Sequence, residues 1–105
     1  MTPWPHAPVT AYQDEGCWTE TSGLRALSDA TGFSPSAMTI EECGDYCLNN
    51  GWLWFGLEYS SECYCGAALN VNSTNVVATD CSMPCSGDAL QVCGGPNRLS
   101  VYQWV

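Results

Sequence analysis

Sulfur and aromatic rings carry most of the chemistry that this chain offers. Eight of its 105 residues are cysteine, and twelve are tryptophan, tyrosine or phenylalanine. An even cysteine count in a short chain predicts a disulfide framework, here of four bridges. The aromatics predict a different chemistry. A sugar ring has apolar C–H faces and polar hydroxyl edges; a flat aromatic covers the first, and carboxylates, amides or guanidinium bond the second. Trp52, Trp54, Tyr59 and Tyr64 are the candidate platforms, and Asn97 and Arg98 the candidate hydroxyl partners. Each has a competing structural role. A small domain needs core, aromatics bury the most area per residue, and Trp52 and Trp54 suit core and platform equally. Tyr46 and Tyr102 read as packing residues. Arg98, one of only two cations in the chain, also reads as a structural partner of Asp80 or Asp88.

Catalysis is less well provided for. Glu58 and Glu62 flank a turn, and a glycosidase pair would need a defined separation and one raised pKa. Carboxylates are the commonest charge here, and 105 residues leave little room for a deep cleft. His6 is the sole histidine, which disfavours Ser/His/Asp and Cys/His triads. No P-loop or dinucleotide fingerprint occurs. No cofactor is expected and the chain reads as a non-enzyme. Zinc sites use cysteine pairs at such spacings as Cys43/Cys47 and Cys81/Cys85, but oxidation is favoured over metal. Asp80 and Asp88 sit in no calcium-loop pattern, so no metal is expected.

The elements that must position these residues are partly legible. Thr39-Ile40-Glu41-Glu42 is a capping box, with Met38 and Cys43 as its hydrophobic staple. It predicts a helix over 40–49, ended by Gly51. Ile40, Cys43, Cys47 and Leu48 share one helical face. The aromatic run 52–59 reads as a strand, with a turn at Ser60-Ser61 and a returning strand over 62–66. Alternation then puts Trp52 and Trp54 on one face, shared with Tyr64 if the strands pair in that register. Residues 99–104 read as a final strand. The stretch 19–36 reads as a surface loop with a short turn at 24–27. Residues 1–14 read as linker and approach segment and 15–105 as the domain, with Met1 a start codon ahead of an excised or mature segment. Asn72-Ser73-Thr74 is a glycosylation sequon, making Asn72 a candidate glycan carrier.

Helical Cys43 and Cys47 point the same way, and so do Cys63 and Cys65 on a strand. Four helical residues rise about 6 Å. Two strand residues span about 6.6 Å. Two parallel bridges, Cys43–Cys63 and Cys47–Cys65, would bolt helix to sheet. The remaining four cysteines are then expected to pair as Cys17–Cys93 and Cys81–Cys85.

Composition bounds the setting. With 11 acidic residues, two arginines and no lysine, the net charge of −9 excludes nucleic acid and anionic lipid as natural partners. No apolar run approaches a membrane span. The cysteines place the chain in an oxidising compartment, outside the cell or on its surface.

Several motifs together are distinctive: Gly16-Cys17-Trp18, Met38-Thr39-Ile40-Glu41-Glu42-Cys43, Glu62-Cys63-Tyr64-Cys65-Gly66, Asp80-Cys81-Ser82-Met83-Pro84-Cys85 and Cys93-Gly94-Gly95-Pro96-Asn97-Arg98. Over roughly 16–102 the chain resembles the WSC domain, the cysteine-rich module of fungal cell-wall sensors and of some secreted fungal oxidases and glucanases. The resemblance implies a small disulfide-rich α+β fold of PAN/apple type, one main helix packed on a small antiparallel sheet. It implies a non-catalytic module that binds cell-wall polysaccharide (β-1,3-glucan, xylan or chitin), attached in the parent protein to a secreted enzyme or a sensor stalk. Trp52-Leu53-Trp54-Phe55 is heavier in aromatics than that stretch usually is. The alternative class is a protein-interaction or self-association module, since an exposed aromatic patch serves either use.

Overall fold

A computed structural model of the chain describes residues 11–20, 25–34 and 36–105. Most of the expected linker, and residue 24 of the expected turn, lie outside these. Among the described residues the elements run β1 (Tyr12–Thr19), β2 (Ala30–Phe33), α1 (Ile40–Asn49), β3 (Trp54–Glu58), β4 (Glu62–Gly66), β5 (Asn75–Val76), a 3-10 turn (Ala78–Asp80), β6 (Pro84–Cys85), β7 (Asp88–Val92) and β8 (Arg98–Trp104). Six strands form one antiparallel sheet in the order β2-β4-β3-β8-β1-β5, and β6–β7 is a separate ribbon. This is the small, disulfide-linked α+β architecture that the resemblance implies.

The helix begins and ends where its signals lie. The Thr39 side chain accepts the Glu42 N–H at 3.0 Å, and Met38 and Cys43 meet in the core beneath it. Gly44 lets the helix approach the sheet. A Cβ there would lie 2.9 Å from the Phe55 ring and 3.0 Å from the Trp104 indole, whose N–H donates to the Gly44 carbonyl at 3.0 Å. The Tyr102 ring stacks on Phe55 with centroids 5.5 Å apart. In β1, Gly16 has φ +101°, and the register against β8 shifts between Asp14 and Gly16. That is a bulge at a position where a side chain would be strained.

Two disulfides bolt the helix to β4, Cys43–Cys63 and Cys47–Cys65, each with Cα atoms 5.4 Å apart. The spacing argument holds for these. The other two correct it: Cys17 pairs with Cys81, and Cys85 with Cys93. The chain runs from Cys81 to Cys85 without a turn, so their Cα atoms stand too far apart to be bridged. Cys93 instead folds back across the β6–β7 ribbon onto Cys85. Cys81, after the 3-10 turn, lies against β1 and takes Cys17. The Sγ atoms of Cys43, Cys47 and Cys63 lie within 4.8 Å of one another, but each is spent in a disulfide and cannot act as a thiolate ligand.

The sheet is covered on both faces. The helix side packs Met38, Phe55, Leu57, Trp104 and the buried cysteines. The other side packs Ala26, Leu27, Tyr64, Leu99 and Val101, with Trp18, Trp54 and Leu69 against them. This corrects the surface loop expected over 19–36. Ala26 and Leu27 are core, and 30–33 form the edge strand. The strand Ala-Thr-Gly-Phe escapes notice because it lacks the apolar alternation that marks a strand. Val105 N–H donates to the Ala11 carbonyl at 2.9 Å, so the two ends of the described domain lie side by side.

Candidate functional site

Trp52 is set by the way the helix stops. Gly51, at φ +87°, donates to the Leu48 carbonyl at 3.0 Å, and Trp52 N–H donates to the Cys47 carbonyl at 2.9 Å. These are the two bonds of a Schellman motif. Since Cys47 is disulfide-linked to β4, the backbone of Trp52 is tied covalently to the sheet. Trp54 opens β3, opposite Gly66 on β4 and Gln103 on β8. Both indoles are half-buried. Together with Leu53 and Gln103 they line a shallow depression of about 260 Å3 at the end of the sheet.

The expected shared strand face holds for Trp54 and Tyr64 and is corrected for Trp52. Trp52 precedes the strand and packs toward the helix-side core, whereas Trp54 packs toward the other side. Alternation does not extend across a helix C-cap, so the two residues share the lining of a depression at the sheet end rather than one face. The expected exposure of Tyr64 is also corrected. Its ring is only 6% exposed, lies 4.5 Å beneath the Arg25 guanidinium, and its hydroxyl donates to Glu62 at 2.6 Å. It takes no part in an exposed platform.

The other candidates lie at the far end of β3. Tyr59 is 53% exposed and sits in the turn after Glu58 with φ 53°, followed by Ser60 at 73°. Trp54 and Tyr59, five strand residues apart, are separated by about 16 Å. Asn97 occupies a turn after Pro96 with φ 56°, closed by bonds between Gly95 and Arg98. Arg98 Nε is 3.0 Å from Asp80 Oδ2, the structural pairing weighed against a sugar contact. The six residues therefore fall into a half-buried pair, a separate set at the other end of β3, and one buried ring, not one surface.

Beside Tyr64 lies a charged cluster. Arg25 Nη1 is 2.7 Å from Glu20 Oε2 and 3.3 Å from Glu58 Oε1. One guanidinium cannot balance two buried carboxylates. Burial first, and the hydrogen-bonded Glu20 second, push the Glu58 carboxyl up to about 8, against the opposing pull of Arg25. A raised carboxyl beside another acid is what a glycosidase needs. Glu58 is buried, however, and does not line the Trp52–Trp54 depression.

A second concavity, between α1 and the edge strand β2, was not anticipated. Tyr46, read as a packing residue, faces it and is 38% exposed. Its signal lies in the helical spacing: Tyr46 stands at the edge of the cysteine face, three residues from Cys43, where that face gives way to Glu42 and Asn49. Asn72 is exposed in the turn before β5.

Comparison with known proteins adds the following. The family model described as WSC domain matches residues 15–95. A Chaetomium globosum protein named "Putative fungistatic metabolite" is 63% identical over 105 residues, covering 98% of this chain and 47% of that protein. A WSC domain-containing protein of Arthroderma benhamiae is 39% identical over 97 residues, covering 90% of this chain and 13% of its own length. Kremen protein 2 of Homo sapiens is 34% identical over 89 residues, covering 84% of this chain and 19% of its own length. The chain thus spans less than half the length of each of these relatives.

Proposed function

The chain belongs to the WSC domain family, and from that premise we propose that it is a non-catalytic module that binds cell-wall polysaccharide. One observation carries the reading. Two half-buried indoles, held by a Schellman motif and a strand start, open onto a shallow depression beside the Gln103 amide. Such an arrangement offers ring faces for stacking and an amide for hydroxyls. Four disulfides fit an oxidising, extracellular setting, and no helix of the described residues is long and apolar enough to cross a membrane.

Affinity at one such open site is weak, because little polar surface is desolvated. Retention on a wall comes from repeated modules or from attachment to an enzyme. The test is sedimentation with insoluble β-1,3-glucan, xylan, chitin and cellulose. Trp52→Ala and Trp54→Ala are expected to lose retention while keeping the folded far-UV spectrum. Unchanged sedimentation by both folded variants removes this depression as the site. Association that depends on protein concentration and ignores added sugar favours a self-association module instead.

A further inference from the structure

The groove between α1 and β2 has a volume of about 470 Å3 and is lined by Phe33, Ser34, Glu42, Asp45, Tyr46 and Asn49, among others. Its floor is rigid for covalent reasons. The helix is tied to β4 by two disulfides, and β2 pairs with β4 from Ala30 to Phe33.

Tyr46 is fixed within it. Its hydroxyl donates to the Thr31 carbonyl at 2.6 Å. Its ring lies over Gly32, where an added Cβ would come within 3.2 Å of the ring. One side of the ring rests on backbone, and the residue is 38% exposed. Phe33, also on the lining, is 65% exposed, but strand alternation points it away from Tyr46, to the face of Glu62. A ring held this way needs no ordering on binding, which lowers the cost of association.

Among the described residues no cation faces the groove. Glu42 and Asp45 are its charged groups. Both arginines of the chain are engaged elsewhere, Arg25 with Glu20 and Glu58, Arg98 with Asp80. There is no lysine, and the net charge is −9. An aromatic face next to unbalanced carboxylates suits a cation carried on a sugar ring. Tyr46 takes the C–H face of the ring and, by cation–π attraction, the ammonium; the carboxylates take the ammonium by charge-assisted hydrogen bonds.

We propose that this groove is a second ligand site, for a cationic glycan built of unacetylated amino sugars. It is distinct from the Trp52–Trp54 depression and selects by charge, where that depression selects a neutral chain. A glycan is favoured over a basic peptide because the edge strand is not open for strand addition at this point. The Thr31 carbonyl, which a peptide strand would use, is already taken by the Tyr46 hydroxyl.

The test uses the whole chain and soluble hexamers of glucosamine and of N-acetylglucosamine, with hexalysine as control, at about pH 5, where amines are protonated. Calorimetric titration is expected to show binding of the glucosamine hexamer that weakens with added salt. The double variant Glu42→Gln/Asp45→Asn, which keeps side-chain size on an exposed helix face, is expected to lose about tenfold in affinity, a change of about 1.4 kcal/mol. Trp54→Ala is expected to bind the glucosamine hexamer as the wild type does. Equal affinity of Trp54→Ala for the two glucosamine-type hexamers, equal affinity for hexalysine, or no effect of the double variant overturns the proposal. Loss of neutral-glucan sedimentation by Trp54→Ala with intact glucosamine binding separates the two sites, so either can fail alone.

Discussion

Replacing Glu58 by glutamine tests the buried acid cluster directly. In the folded chain this carboxyl is raised from 4.5 to about 8, chiefly by burial and then by Glu20. The groups facing it are Glu20, Arg25, Glu62 and Tyr64. A carboxyl raised on folding binds its proton more tightly in the native than in the unfolded state. Its contribution to stability is therefore complete below the unfolded value and is lost as pH rises through the folded one. Each tenfold gain in proton affinity on folding is worth about 1.4 kcal/mol, which sets a ceiling of about 5 kcal/mol. The high effective dielectric felt even at buried sites reduces the figure to roughly 2–3 kcal/mol. Glutamine mimics the protonated acid at every pH. Urea unfolding with disulfides intact, at about pH 5 and about pH 8, is expected to show the wild type losing roughly 2–3 kcal/mol relative to Glu58→Gln across that interval. Other titrating groups cancel in the difference. Parallel profiles for the two proteins would refute the claim that Glu58 keeps its proton.

Further expectations follow from the bridges, the helix and its cap. Removing Cys17–Cys81, which closes 64 residues, is expected to cost about 4 kcal/mol on loop entropy. Removing Cys85–Cys93, which closes eight, is expected to cost about 2.5 kcal/mol; denaturant midpoints of paired Cys→Ser variants read the order. Gly44→Ala, though it improves helix propensity, drives a methyl into Phe55 and Trp104 and is expected to cost about 1–3 kcal/mol by thermal melting. Thr39→Ala removes the cap to Glu42 and is expected to cost about 1 kcal/mol by the same measurement.

What could be seen beforehand was local. The capping box gave the helix both its first residue and its direction, and the matched rises of Cys43/Cys47 and Cys63/Cys65 fixed how it lies on the sheet. What could not be seen depended on long-range topology. Nothing near Cys17 says that residues 75–81 will return alongside it. The paired tryptophans mislead for a related reason. A period of two was extended over Trp52, which obeys the geometry of a helix end instead. Tyr64 looked exposed because its cover, Ala26 and Leu27, lies in a stretch whose Ser, Thr and Gly content reads as loop. Tyr46 misleads in the opposite way: three residues from Cys43 it reads as packing, and its exposure follows only from the edge strand beneath it.

The bond from Val105 to Ala11 has an architectural consequence. A unit whose entrance and exit share one corner can be spliced into a host loop without prying the host apart. Strung in series, such units hang from their linkers like flags from a line, with the opposite flank of each turned outward.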